Sequence, residues 1–104
     1  MIVRIWSAQS TEAKAPAYIE HLKTQVFPAL RKVDGYGGAM LLTRATPEAV
    51  EVIVLTFWRS LDSIHGFAGA DLEVAVVTEE AAALLTQFDQ RVRHYDLALR
   101  DDVL

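Results

Sequence analysis

The sequence predicts an α+β domain, an antiparallel sheet with its helices gathered on one face, and three observations carry that expectation. The first is the run Val50–Trp58, which as a strand is apolar on both sides. Successive strand side chains point to opposite faces. One face therefore carries Val50, Val52, Val54, Thr56 and Trp58, and the other carries Ile53, Leu55 and Phe57 beyond a single Glu51. The second is a helical stripe of Ala15, Tyr18, Ile19, Leu22, Val26, Leu30 and Val33, spaced as one buried helix face. The third is the short link Thr46-Pro47-Glu48, which makes the segments around it an antiparallel hairpin. A chain of 104 residues is one domain over residues 1–104, and it can lay helices over one side of such a sheet. The other side must be covered by a second subunit, so a homodimer is expected.

In chain order, Ile2–Ala8 alternates Ile2, Arg4 and Trp6 against Val3, Ile5 and Ser7 and reads as the first strand. Pro16 is comfortable only at a helix start, so residues 10–14 read as a turn and the main helix begins near Ala15. Pro28 lacks an N–H and clashes with the preceding turn, so that helix should kink or restart near Phe27. Asp34-Gly35-Tyr36-Gly37-Gly38 ends it, since glycine permits positive φ and close backbone approach. Ala39–Arg44 is the second strand and Val50 opens the third. Ser60 is an N-cap for a short helix with Leu61, Ile64, Phe67 and Ala68 on its apolar side, stopped by Gly69. Thr78 caps another short helix to about Leu85, Arg91–Leu99 is the fourth strand, and Arg100–Leu104 is a tail. The order β-α-β-β-α-(α)-β is the ferredoxin-like plan, a four-stranded antiparallel sheet with helices on one face.

Composition narrows the function. Apolar residues make up 52% and charged ones 23%, a globular balance. The net charge of −4, with no block of Lys or Arg, excludes a nucleic-acid footprint. The lack of cysteine removes disulfides, thiolate nucleophiles and Cys-ligated zinc. No window is long and apolar enough to span a membrane, and Met-Ile-Val-Arg-Ile-Trp does not read as a signal peptide. The expectation is a soluble, cytoplasmic protein.

The segment Val52–Ser60, then Ile64, Phe67-Ala-Gly69, Asp71 and Ala75-Val76, closing on Val92-Arg-His-Tyr95, resembles the antibiotic-biosynthesis-monooxygenase superfamily. Strand one, the long helix and the Gly35/Gly38 junction also sit where that family has them, so the resemblance covers essentially the whole chain. It implies a dimeric α/β barrel, two ferredoxin-like units packed through their open sheet faces, each with a pocket between helices and sheet. It also implies cofactor-independent oxidation of phenols or quinols, heme degradation, or no catalysis, according to the branch. The heme-degrading branch carries an Asn on strand one, the strand-three Trp, and a His about a dozen residues after that Trp. Here Trp58 matches, strand one offers Ser7 and no Asn, and His65 arrives too early. Heme degradation is therefore not expected. The polyketide-oxidising branch is matched only at Trp58.

The expected site is an apolar pocket under the helices. Trp58, Val54 and Thr56 line it from strand three, Tyr18 and Leu22 from the long helix, and Phe67 and His65 from the next helix at its rim. His65, four residues after Leu61, is the candidate general base for a phenolic proton. Each has a plainer reading: Trp58 as a core aromatic whose N–H meets a nearby oxygen, and His65 as a histidine at the edge of the core. His94 and Tyr95 alternate on strand four, so one faces the pocket and the other the dimer barrel. His21, beside Leu22 and opposite Lys23, is expected near the surface and given no role. Arg4, Arg91 and Arg93 read as charges on sheet edges. The three histidines have no metal-ligand spacing, no serine sits in a nucleophile elbow, and the glycines do not open a helix after a strand. Neither metal nor cofactor is expected.

Two functions from different classes follow. One is a small dimeric monooxygenase without metal or flavin, oxidising an electron-rich aromatic of the phenol, quinol or polyketide kind. The other is a non-catalytic dimeric binding module for a hydrophobic or aromatic small molecule. A structural dimer with a filled interior is the third possibility. A polar group converging on the apolar cavity favours the enzyme.

Overall fold

Alternation along the third strand decides which side of the sheet the helices cover. β3 (Val50–Trp58) lies between β2 (Tyr36–Ala45) and β1 (Ile2–Ser10) and is antiparallel to both. Val52, Thr56 and Trp58 are buried, while Ile53 between them is 37% exposed. The structure, a computed structural model, describes residues 1–102. Val103 and Leu104, the end of the expected tail, lie outside the described residues.

Register carries the parity of β3 to its neighbours. Ile2, Arg4, Trp6 and Ala8 of β1 stand opposite Trp58, Thr56, Val54 and Val52, so they share the helix-covered face. Met40 and Leu42 of β2 stand opposite Leu55 and Ile53 on the outer face. Met40 is 55% exposed and Leu42 48%, so the outer face presents a band of uncovered apolar side chains. That two-sidedness is what β3 foretold.

The long helix is broken as Pro28 demands. It runs as α1 (Ala15–His21), a π-helical turn over Leu22–Val26, and α2 (Phe27–Leu30). Phe27 N–H reaches back to the Leu22 carbonyl, the wider i→i−5 bond that inserts one residue before the proline. Ala15, Tyr18, Leu22 and Leu30 are buried. Ile19, expected in the same stripe, is exposed, because the buried face runs through Tyr18 and leaves its neighbour on the flank.

At the helix-to-strand junction Gly35 adopts a φ of 89°, and a Cβ there would come within 2.4 Å of Ser63 Cβ. Its carbonyl accepts from Arg59 N–H at 2.8 Å, fastening the junction to the end of β3. α3 (Leu61–Ala68) begins with a reciprocal cap in which the Ser60 and Ser63 hydroxyls accept from each other's backbone N–H. α4 (Glu79–Ala83) is capped by Thr78, whose hydroxyl accepts from Ala81 N–H at 3.1 Å.

The expected fourth strand, Arg91–Leu99, is shortened to β5 (Arg93–Asp96), which pairs with Ile5 through Ile2, and a short strand not expected, β4 (Gln87–Phe88), pairs with Gln9 and Ala8 on the same edge of β1. Between them the chain turns to a different partner: Ala75 N–H donates to the Gln90 carbonyl and Val92 N–H to the Glu73 carbonyl. Arg91 secures that detour by ion pairs to Asp71 and Glu73. The sheet order is β2-β3-β1-β4/β5, the ferredoxin-like order with a split edge strand. β1 is therefore interior, not an edge.

Candidate functional site

Between the broken helix and the sheet lies a cavity of about 470 Å³, within the ordinary size range of small-molecule sites. Its floor is Arg4 and Trp6 of β1 with Val54 and Thr56 of β3. Tyr18, His21, Leu22 and Val26 descend from the helix above, Phe67 closes one end, and Val77, Glu80 and Ala81 close the other. The space lies against the two apolar clusters that make the core, one around Tyr18, Leu22, Val52 and Ala81 and one around Leu30, Trp58 and Ile64. The π-helical turn forms part of the roof, so the irregularity forced by Pro28 shapes the space beneath it.

Of the residues expected here, Tyr18, Leu22, Val54, Thr56 and Phe67 line the cavity. Trp58 does not. It is fully buried one layer behind, stacked on Phe67 with ring centroids 5.8 Å apart and edge-on to Tyr36 at 5.4 Å. Its indole N–H donates to Thr56 Oγ1 at 2.8 Å. His65 is also elsewhere: it is exposed, and its Nδ1 lies 2.7 Å from the Gly69 carbonyl at the end of its own helix. Leu61, the residue that was to bring it inward, is itself 46% exposed.

Among the cavity residues that the sequence did not point to are Arg4, Trp6 and His21. Arg4 is 4% exposed and stands directly opposite Thr56 in the sheet. Its guanidinium donates to the carbonyls of Leu72 and, at 2.8 Å, Val74, it lies 5.4 Å from the Phe67 ring centroid, and no carboxylate among the described residues pairs with it. Burial pushes its pKa down to about 10, which still leaves it charged at neutral pH. Trp6, one strand repeat along, lines the floor and donates its indole N–H to the Asp89 carbonyl at 2.8 Å. His21, expected near the surface, has a side chain only 10% exposed and a buried Nε2 with no partner. A signal existed for each. Arg4 and Trp6 alternate in phase on strand one, and His21 follows Tyr18 by three, hence on the same helix face.

His94 and Tyr95 are now assigned to faces. His94 stands opposite Arg4 on the covered side and Tyr95 opposite Val3 on the outer side. His94 Nε2 lies 3.0 Å from Arg4 Nη1, a contact that requires a neutral imidazole accepting from the guanidinium. Burial first, and the Arg4 charge second, hold the His94 pKa below its ordinary value. Burial also raises the Tyr18 phenol far above the usual range, so it stays a neutral O–H. Among the described residues no three His, Cys, Asp or Glu side chains converge on a point that could hold a metal ion.

A wider hollow of about 750 Å³ lies on the outer face, lined by Ser7, Gln9, Leu42, Ile53 and Gln87 among others. It lies on the side of the sheet that the helices leave uncovered.

The arrangement can admit a flat apolar molecule and offer it donors. Thr56 Oγ1 accepts from Trp58, which leaves its own hydroxyl proton free to donate, and Thr56 stands opposite Arg4 in the sheet. Arg4 has five N–H groups, of which three meet the partners named above. Two adjacent donors at the base of an apolar cavity suit an oxyanion.

Comparison with solved structures identifies the fold. A Bacillus cereus protein assigned as an antibiotic biosynthesis monooxygenase superposes with a TM-score of 0.69 at 13% identity, covering 100% of this chain and 97% of that one. A Deinococcus radiodurans protein assigned to the same activity gives 0.61 at 12% identity, covering 100% and 99%. The heme-degrader MhuD of Mycobacterium tuberculosis, with two hemes bound in its active site, gives 0.60 at 19% identity, covering 97% and 99%. No family model matches the sequence, and no curated protein matches it significantly. The chain thus has the fold of the antibiotic-biosynthesis-monooxygenase-like proteins over its full length.

Proposed function

We propose that the protein is a small monooxygenase that binds an electron-rich, ionisable aromatic in the cavity between helices and sheet and lets it react with dioxygen without metal or flavin. The observation that carries this reading is the pairing of Arg4 with Thr56. A buried cation without a counter-ion is costly, and here Arg4 and Thr56, opposite each other in the sheet, both line the floor of a ligand-sized space. A phenolate or enolate would supply the missing charge. The anion is the electron-rich form that dioxygen can oxidise. One oxygen atom enters the ring, the other leaves as water, and the substrate gives up all four electrons. Protein groups then orient and stabilise the anion and exclude bulk water.

The fold neighbours support the reaction class, since two are assigned as antibiotic biosynthesis monooxygenases and the third degrades heme. Heme degradation is not part of this proposal: β1 brings Arg4 and Trp6 to the cavity and no Asn, and His65 is committed to Gly69. The working form is a homodimer closed through the outer face of Ile53, Leu55 and Phe57 with Met40 and Leu42, the barrel arrangement that this fold permits.

A second reading, a non-catalytic binding module for a hydrophobic aromatic, is favoured by the distance of His65 from the cavity. Anaerobic titration with 1,4-dihydroxynaphthalene, followed by admission of ¹⁸O₂, separates the two. The oxygenase incorporates one labelled atom per product well above the uncatalysed rate. Saturable binding without added oxidation supports the module, and no binding at all sinks both.

A further inference from the structure

One edge of the Arg4 guanidinium is taken by the protein and another is open. Nη1 uses both of its N–H groups, toward the Leu72 carbonyl and His94 Nε2, and Nη2 gives one to the Val74 carbonyl. Nε–H and the second Nη2–H remain. These two nitrogens form one side of the planar group, the side that receives a carboxylate in two parallel bonds. Nε has no partner among the described residues, yet it is not sealed, because the one buried side-chain polar atom left unpartnered among them is His21 Nε2. Arg4 lines the cavity floor and is the sole lysine or arginine to do so.

The second observation concerns protons. A phenol ionises at about pH 10, as tyrosine does, and a carboxylic acid at about pH 4. A phenolate would have to be made in the site, whereas a carboxylate arrives charged. Among the described residues no proton acceptor stands ready at the Arg4 end. His21 Nε2 is enclosed, and His65 and His94 do not line the cavity. Tyr18 is a neutral O–H. Glu80, the one carboxylate in the lining, belongs to the far end, and its side chain is 81% exposed.

We propose that the ligand of this cavity is an aromatic carboxylic acid, its carboxylate held by Nε and Nη2 of Arg4 and its ring lying along the floor over Val54 toward Trp6. Trp6 stands opposite Val54, the next rung of the sheet after Arg4 and Thr56 on the covered face. Two residues along a strand span about 7 Å, the reach of two fused rings. Phe67, 5.4 Å from the guanidinium, closes the space at the carboxylate end. One carboxylate balances one cation. A phosphate monoester, with a charge of about −1.5 to −2 near neutrality, would bring more charge than a single arginine meets. The acid enters already ionised, so the site needs no base to bind it, and O–H groups elsewhere on the ring keep it electron-rich. This inference deepens the proposed monooxygenase by naming the group that meets Arg4, and it shares that reading's cavity without depending on dioxygen.

Binding under argon tests it apart from any oxidation. At neutral pH, 2-naphthoate should bind the wild type at least about tenfold more tightly than 2-naphthamide, its uncharged counterpart of nearly the same shape. By ¹H–¹⁵N NMR of the wild type, the Arg4 Nε–H resonance should move downfield with naphthoate and stay in place with naphthamide. Arg4→Lys keeps the charge and removes the fork, so the preference for naphthoate should fall about tenfold, with the fold checked by circular dichroism. The resonance measurement needs no variant and decides the matter if Arg4→Lys does not fold. Equal affinity for the two ligands overturns the proposal. So do failure of naphthoate to bind, a preference that survives in Arg4→Lys, and an Nε–H resonance indifferent to naphthoate. Oxygen uptake is then compared for 1,4-dihydroxy-2-naphthoate and 1,4-dihydroxynaphthalene. Uptake from neither, with the naphthoate preference intact, removes the oxygenase and leaves the carboxylate site standing; uptake from 1,4-dihydroxynaphthalene without naphthoate binding does the reverse.

Discussion

Trp58 donates its indole N–H to the hydroxyl of Thr56, two residues earlier on the same strand face, at 2.8 Å. The bond joins the core to the cavity. It satisfies the polar atom of a fully buried Trp58, and it occupies one lone pair of a hydroxyl whose residue lines the cavity. Thr56→Val should therefore act twice. It strands a buried N–H, a loss of about 1–3 kcal/mol seen as a lower urea midpoint with unchanged slope. It also removes a donor to the ligand, so the Kd for an anionic aromatic should rise about tenfold. Thr56→Ser should restore both, and a Thr56→Val protein with unchanged stability would contradict the role given to this bond.

The uncovered face of the sheet leads to the second prediction. An interface built from Met40, Leu42, Ile53, Leu55 and Phe57 should bury on the order of 2,000 Å² in total and give a particle of twice the 11.6 kDa chain mass. Leu55→Glu would place an unpaired charge at its centre at a cost of about 3 kcal/mol or more. Light scattering should then show dissociation or aggregation. A stable folded monomer from the unaltered protein would refute the dimer.

How much of this was legible in the sequence depends on whether the deciding contact is local. The parity of β3, the hairpin to β2 and the break at Pro28 follow from spacing and from the chemistry of one residue, and the structure has them. The division of the edge beside β1 into β4 and β5 does not: it arises because Gln90 and Val92 bond the segment at Glu73 and Ala75, held by the Arg91 ion pairs. Nothing near Arg91 in sequence signals that detour. The site divides in the same way. Tyr18, Leu22, Val54, Thr56 and Phe67 were reached by periodicity. Strand alternation puts Trp58 in the cavity lining, whereas it stacks one layer behind on Phe67, a contact that depends on how α3 crosses the sheet. Arg4 reads in the sequence as an edge charge, although its phase with Trp6 puts it on the covered face. Strand order made the difference, since β1 has neighbours on both sides.

Arg4 should prove necessary for anions rather than for apolar bulk. Arg4→Met keeps the length and removes the charge, so a naphthol that binds as its anion should lose at least tenfold in affinity, about 1.4 kcal/mol. Naphthalene itself should bind as before. The same change leaves the Leu72 and Val74 carbonyls without their donor, so the thermal midpoint should also fall. Arg4→Lys should not rescue either property, because one ammonium cannot reproduce the fork to both carbonyls. Calorimetric titration with the two ligands decides it, and equal losses for naphthol and naphthalene would reduce Arg4 to a packing role.

Hemin provides a negative test. The only histidine that lines the cavity among the described residues is His21, and β1 supplies Arg4 and Trp6 rather than an Asn. Hemin should therefore give no saturable Soret shift at one heme per subunit, and no reductant-dependent bleaching in oxygen. A saturable shift that disappears in His21→Gln would make this side chain an iron ligand and defeat the prediction.

The pH dependence of stability should come from His94. Its folded-state pKa lies below the ordinary value of 6.5, by burial and then by the Arg4 charge beside it. The sign follows from linkage. The unfolded chain protonates this histidine at higher pH than the folded one, so the stability tied to the neutral imidazole is complete above about pH 6.5 and is lost as the pH falls through the folded-state value. Protonation would also set two cations against each other at the 3.0 Å contact and take away the acceptor of Arg4. The thermal midpoint should thus drop on acidification below neutrality. Asp71 and Glu51, whose pKa values are held down first by hydrogen bonds to Arg91 and Arg44, lose their contributions only at lower pH, in the carboxylate range. His94→Asn keeps a hydrogen-bonding side chain that does not titrate, and should flatten the curve between neutrality and the onset of carboxylate protonation. An unchanged slope in that window would place the titration elsewhere and remove His94 from the support of Arg4.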